Sequence, residues 1–220
     1  MTRFHYKNFA RTWVLFFICF RVMALFADTS QETKIAQLER AIFNFQEIEP
    51  GIYRSGRLPR ETYPYLKKAG ITTIINFIDK KKEAEKEKSE LAHLGIKTVS
   101  IPWNGFDYPK DQDVDTFLNV MKDPANRPVL VHCKRGAERT GLMIACWRIA
   151  EQGWKVEDAY QEMVRNRFRW FWYGHLKKYL YEFAKRHGQK PAKSTNIWGR
   201  LKTNVLYGIY RFRKLASFSS

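Results

Sequence analysis

The chain has 220 residues, 45% of them apolar and 15% aromatic, which excludes a disordered chain and fits one domain with its own core. Its 39 Lys and Arg against 22 Asp and Glu give a formal charge of +17. Three cysteines (Cys19, Cys133, Cys146), with no Cys-x2-Cys or His-x3-His spacing, exclude a disulfide scaffold and a zinc module. The excess charge lies mainly in the two ends. Residues 1–27 hold Arg3, Lys7, Arg11 and Arg21 and no acid; residues 188–220 hold Lys190, Lys193, Arg200, Lys202, Arg211, Arg213 and Lys214 and no acid.

The basic start is followed by an apolar run over residues 12–20, interrupted at Arg21 and resumed to Ala27, before Asp28-Thr29-Ser30. This is the pattern of a secretory signal with cleavage after Ala27. Leu25 is larger than the small residue preferred before such a site, so an uncleaved anchor stays open. The run is short for a spanning helix, which needs about 17–25 residues, and Arg21 in it is costly. Residues 1–27 are therefore read as a signal peptide or membrane anchor, 28–187 as the folded domain and 188–220 as a basic aromatic tail.

In the domain, residues 31–43 show helical spacing, and Ile52-Tyr53-Arg54 is a short strand. A helix is predicted over 59–69, with Pro and Glu in its first turn and Gly70 ending it. Residues 71–77 are β-branched and predict a strand. A charged amphipathic helix over 80–94, Leu91 and Leu94 inward, stops at Gly95. A strand over 96–101 follows, then a loop, a helix over 114–122 capped by Asp111 or Asp113, and a central strand over 129–132. Helices over 140–151, 155–167 and 173–187 complete the domain. Alternating strands and helices predict an α/β fold: a mostly parallel sheet of four to five strands with helices on both faces.

The central strand runs into His132-Cys133-Lys134-Arg135-Gly136-Ala137-Glu138-Arg139-Thr140-Gly141 and then an apolar helix. A loop entering a helix N-terminus turns several backbone N–H groups toward one point, where the helix dipole also favours negative charge. Phosphate suits such a place, and so does a cysteine thiolate. Cys133 would attack phosphorus in line, and Arg139 would grip the equatorial oxygens and stabilise them in the transition state. Thr140 would donate its hydroxyl to the sulfur and help it leave in the second step. His132 would buttress the loop from behind, and Gly136 and Gly141 would allow tight backbone and close approach to the ligand. Lys134, Arg135, Ala137 and Glu138 complete the phosphate loop. The bland alternative is a buried cysteine followed by an unrelated arginine. Cys146, inside the following helix, is read as core filler.

Residues 132–141 resemble the signature loop of the cysteine-dependent protein phosphatases, in particular their small dual-specificity branch. Pro50-Gly51-Ile52-Tyr53-Arg54-Ser55-Gly56 resembles a segment near the start of bacterial and fungal members. The resemblance covers roughly residues 45–186. A leader plus one such domain is similar to the periplasmic tyrosine phosphatases of Gram-negative bacteria, whereas Cys133-Lys134-Arg135-Gly136 also resembles members that act on inositol pyrophosphates. The resemblance implies Cys133 as nucleophile, Arg139 as phosphate clamp, no metal or other cofactor, and a general-acid aspartate on an upstream loop. That loop is residues 102–113. Asp107 is the choice within it, because Phe106 and Tyr108 flank it and would shield it from water. The chain lacks the literal Trp-Pro-Asp of the family.

The resulting expectation is hydrolysis of phosphomonoesters through a cysteinyl-phosphate, on phosphotyrosine or phosphoserine/threonine proteins. The enzyme alternative is a phosphoinositide or inositol polyphosphate, motivated by the cations Lys134 and Arg135. The non-enzyme alternative is a basic module for membrane or nucleic acid with a vestigial loop, which the intact Cys133, Arg139 and Thr140 disfavour; nucleic acid is not the expected partner. A sulfurtransferase also uses a cysteine loop but needs the Arg-Thr-Gly ending less. Residues 165–173 mix arginines with aromatics, either as a rim of the substrate site or as a helix junction. The tail's interleaved aromatics and cations fit an anionic membrane surface, or else a basic appendage. The leader implies export, to the periplasm or a membrane if the chain is bacterial.

Overall fold

The computed structural model describes residues 33–190. The expected leader over 1–27, with Cys19, and the tail from 191 onward lie outside the described residues. A helix over 33–41 (α1) precedes β1 (Gln46–Glu49) and β2 (Ile52–Ser55). A 3-10 turn, Arg60–Thr62, leads into α2 (Tyr63–Lys68), then β3 (Thr73–Asn76), α3 (Lys81–Ala92), β4 (Lys97–Ser100), α4 (Asp111–Lys122) and β5 (Val129–His132). Three helices close the domain: α5 (Glu138–Gln152), α6 (Val156–Arg165) and α7 (Gly174–Arg186).

The five strands form one sheet in the order β1-β2-β5-β3-β4. β2, β5, β3 and β4 are parallel; β1 pairs antiparallel with β2 at the edge. The mostly parallel sheet expected from the alternation is therefore present. β1 was not anticipated, since Gln46-Glu47-Ile48-Glu49 carries one apolar residue and reads as loop. β5 lies at the centre, and Val129, Leu130 and Val131 are buried on both faces, as an inner parallel strand requires.

The alternation of side chains divides the core in two. On one face Tyr53, Ile74 and Leu130 pack with Leu38 and Ile42 of α1, Leu66 of α2 and Leu91 of α3. On the other, Ile52, Ile75, Val129 and Val131 meet α4 to α7. α4 turns Val114, Phe117, Leu118 and Met121 inward at helical spacing. α5 packs against α4, α6 and α7, so Leu142 through Ile149 are all buried and its apolar pattern is nearly continuous.

Three expectations are corrected. The predicted helix over 59–69 is a 3-10 turn followed by a six-residue helix, because Pro64 at its start resets the geometry. Asp111 and Asp113 are not caps: Lys110 is the N-cap residue, and both aspartates lie in the first turn of α4, where their charge meets the helix dipole. The helix after the phosphate loop starts at Glu138 rather than Thr140. Among the described residues no helix is long and apolar enough to cross a membrane.

Candidate active site

The fold brings residues 133–137 to the C-terminal end of the central strand, where an α/β sheet opens toward ligands. Register pairs Ser55 with His132 and Asn76 with His132, so the loop leaves between the ends of β2 and β3. Its tightest point is Gly136, with φ of 66°. A Cβ there would lie 2.4 Å from both the carbonyl carbon and oxygen of Ser55, so only glycine fits.

Cys133 is 1% exposed, and its Sγ accepts the Gly136 N–H at 3.2 Å. Arg139 is fixed by one nitrogen: Nη1 donates to the carbonyls of Trp103, at 2.9 Å, and Phe77, and lies 3.4 Å from Asp79 Oδ1. Its Nε and Nη2 hold no hydrogen bond among the described residues, which leaves one edge of the fork for two oxygens of an anion. Thr140 is fully buried, but its hydroxyl makes no hydrogen bond to Cys133. His132 is fully buried behind the loop, with Nε2 2.9 Å from Glu87 Oε1. The same oxygen accepts from Asn76 Nδ2 at 2.7 Å.

Around the mouth, Lys134 is exposed and Ala137 buried. Glu138 turns inward: Oε1 accepts from Arg135 Nη1 at 2.9 Å and from Arg169 Nε at 2.7 Å. Arg169 also reaches the Tyr173 hydroxyl at 3.3 Å. The 165–173 segment thus serves both readings weighed above. Phe168 and Tyr173 are core, whereas Arg169 lies at the mouth and Trp170 and Trp172 are exposed. Gly141 lies in the first turn of α5, buried against α6 and Arg54. A Cβ there would lie 3.6 Å from Met163 Cγ and 3.7 Å from Arg54 Nη2, ordinary contact distances, so the packing of α6 on α5 does not itself demand glycine.

The upstream loop folds against Arg139. A Cβ on Gly105 would sit 3.2 Å from Arg139 Cγ. Trp103 is buried and donates Nε1–H to the Asp107 carbonyl at 3.0 Å. Phe106 stacks on Tyr173, with centroids 4.9 Å apart, and His175 Nε2 lies 3.1 Å from the Gly105 carbonyl. Burial pushes the His175 imidazole down to about 4, so it is neutral at pH 7. Asp107 is half-buried in this loop. Asp111 faces away, accepting from the Tyr179 hydroxyl at 2.7 Å and Arg186 Nη2 at 2.9 Å.

Sequence reasoning missed several residues here. Glu87 lies in a helix of Lys and Glu that reads as solvated, and Asp79 follows a strand with no motif around it. Arg54 lies in a quoted segment but had no role. It is fully buried under the loop, and Nη2 donates to the Gly136 carbonyl at 2.6 Å. Burial pushes its guanidinium down to about 10, against the pull of Glu162 and Cys133. Cys146 is core, as expected; burial pushes its thiol up, and neither it nor Cys133 is in a disulfide. Among the described residues no cluster of three His, Cys, Asp or Glu could hold a metal.

Residues 24–171 match the family model described as DSP-PTPase phosphatase fused to NAD+ kinase. An inositol diphosphatase, DSP3 of Arabidopsis thaliana, is 34% identical over 129 residues, covering 56% of this chain and 62% of the relative. The dual specificity protein phosphatase TpbA of Pseudomonas aeruginosa is 31% identical over 134 residues, covering 60% of this chain and 59% of the relative. The chain thus spans about six tenths of the length of these curated relatives. Among solved structures, a putative phosphatase of Shewanella putrefaciens aligns with a TM-score of 0.60 at 24% identity, covering 70% of this chain and 99% of that one. The core catalytic domain of the PP-IP phosphatase Siw14 of S. cerevisiae aligns with 0.57 at 23% identity, covering 76% and 94%. At these identities the structural likeness shows a shared fold.

Proposed function

The chain belongs to the DSP-PTPase family of cysteine-dependent dual-specificity phosphatases, and on that premise we propose that it hydrolyses phosphomonoesters through a cysteinyl-phosphate. One observation carries the reading. Cys133 Sγ lies at the base of the loop in contact with the Gly136 N–H, while Arg139, six residues on in the first turn of α5, is fixed by Nη1 and keeps Nε and Nη2 without a hydrogen bond among the described residues. In the first step the Cys133 thiolate attacks phosphorus in line and the P–O bond to the leaving group breaks. Arg139 and the loop amides hold the equatorial oxygens. Asp107 protonates the leaving oxygen, then takes a proton from the water that cleaves the S–P bond, which releases phosphate and restores the thiolate. Thr140, with its hydroxyl unbound and buried, would serve the departing sulfur in that second step.

Phosphotyrosine or phosphoserine/threonine proteins are the proposed substrates. A second reading, an inositol polyphosphate or phosphoinositide, is favoured by the exposed Lys134 and by Arg135 and Arg169 at the mouth. Some relatives are named inositol diphosphatases. The test is turnover of para-nitrophenyl phosphate by wild type, Cys133→Ser and Arg139→Lys, followed by phosphopeptides and inositol phosphates side by side. Turnover that survives in Cys133→Ser would sink the covalent mechanism. We also propose export, on the strength of the basic and apolar residues 1–27; cell fractionation that leaves the full chain uncleaved in the cytosol would refute it.

A further inference from the structure

Three successive carbonyls of the loop are each held from outside it. The Lys134 carbonyl accepts the Arg57 N–H at 3.2 Å. The Arg135 carbonyl lies 3.4 Å from Asn44 Nδ2, and the Gly136 carbonyl accepts from Asn44 Nδ2 at 3.1 Å and Arg54 Nη2 at 2.6 Å. The only cis peptide among the described residues is Arg127–Pro128, so these three peptides are trans. In a planar trans peptide the N–H points opposite to the C=O. Carbonyls drawn outward therefore drive the N–H groups of Arg135, Gly136 and Ala137 inward. One of the three is seen at its target: the Gly136 N–H meets Cys133 Sγ at 3.2 Å. Successive inward N–H groups around a left-handed residue are an anion nest.

The geometry points to Asn44 and Arg54 as positioning residues that aim these amides at the anion, an assignment that rests on the phosphatase reading above. Neither lies in the loop. Asn44 is in the turn between α1 and β1 with φ of 57°, a backbone state that asparagine tolerates. That turn is tied to the end of β2, because the Phe43 carbonyl accepts the Gly56 N–H at 2.7 Å. Arg54 is 0% exposed, and its Nε and Nη1 have no hydrogen-bond partner. A guanidinium buried with a single bond is expensive as a structural staple. Placed under the nest, its charge and its one bond both favour an anion above it.

Asn44→Gly separates positioning from folding, because glycine accepts the left-handed backbone and only the carboxamide is lost. Arg54→Lys keeps the charge but loses the fork. For the full chain and both variants, calorimetry would give the orthovanadate affinity, para-nitrophenyl phosphate would give kcat and KM, and thermal melting would give the folded fraction. The expected result for Asn44→Gly is vanadate binding weakened about tenfold or more and kcat/KM reduced alike, mainly in kcat, with a melt close to wild type. Wild-type vanadate affinity in both variants overturns the assignment, and a lowered melt with unchanged affinity reduces both residues to a structural role. Wild type that binds vanadate without turnover sinks the hydrolase reading and leaves the binding comparison to judge the two residues. Wild type that binds none overturns both.

Discussion

Glu138 and Arg169, 31 residues apart, meet at 2.7 Å beside the phosphate loop, and Arg135 completes the cluster from the other side. A carboxylate in an anion-binding loop would repel substrate if it were free. Here it is buried between two arginines and holds both at the mouth. Glu138→Gln removes that neutralisation. The expected outcome is a KM for anionic substrates lowered about threefold at low salt, with the difference gone near 0.5 M salt. Steady-state kinetics against sodium chloride checks this. A raised KM at all salt levels would mean that Glu138 acts by orienting the arginines.

Gly136 and Gly153 both have φ of 66° but differ in surroundings. Nothing lies within 4 Å of a Cβ on Gly153, whereas one on Gly136 meets the Ser55 backbone at 2.4 Å. Gly153→Ala should therefore cost about 1 kcal/mol, the left-handed penalty alone. Gly136→Ala should cost roughly 3 kcal/mol and disable the loop, because the backbone of β2 cannot yield. Denaturant melts of the two variants read the difference directly, and equal costs would contradict the collision.

Glu87 Oε1 serves Asn76 and His132 together, in a region with little access to water. Glu87→Ala leaves two buried polar groups unpaired and should cost about 3 kcal/mol. Glu87→Gln, which keeps an acceptor, should recover more than half. A cost below about 1 kcal/mol for the alanine variant in urea melts would show that water reaches the pair.

How far these features can be read from the sequence depends on the range of the forces behind them. Val129-Leu130-Val131 followed by a cysteine loop is legible because strand burial and loop chemistry are both local. The ten-residue run from His132 to Gly141 likewise keeps Cys133, in the loop, and Arg139, in the first turn of α5, six positions apart in sequence. Glu87 and Asn44 are opaque for the opposite reason. Each looks like surface until α3 or the turn before β1 is packed against the sheet end. Glu49 is similar: it reads as a solvated acid, yet it sits on an edge strand receiving Arg148 at 2.5 Å.

His175 links stability to pH. Burial holds its imidazole at about 4 in the fold against an ordinary value of 6.5. Between those values the unfolded chain binds the extra proton and the fold does not. Stability is thus full above about pH 6.5 and falls as pH drops toward 4, by about 2 kcal/mol at pH 5. The groups facing the ring are the Gly105 carbonyl, Asp107, Tyr108 and Tyr173. Because His175 holds the Gly105 segment, activity should fall in the same window. Melting at pH 7.5 and 5.0 should show a drop of several degrees that His175→Gln largely abolishes.

Asp79 touches Arg139 and Asp107 lies two residues past Gly105, which packs on it, and kinetics can tell a general acid from a counter-ion. Asp79 Oδ1 lies 3.4 Å from Arg139 Nη1 and its side chain is 46% exposed, so its charge offsets that of the guanidinium without occupying the edge left for substrate. Asp79→Asn should lower KM a few-fold and leave kcat alone. Asp107→Asn should lower kcat about a hundredfold on substrates with a poor leaving group. The sharper signature is the leaving group. A nitrophenolate departs without help, whereas phenolate or an alkoxide needs a proton. The Asp107→Asn deficit should therefore be small on para-nitrophenyl phosphate and grow on phenyl phosphate and phosphoserine peptides. If that growth appears in Asp79→Asn instead, the proton comes from Asp79, three residues past β3, and the 102–110 loop serves only to seat Arg139.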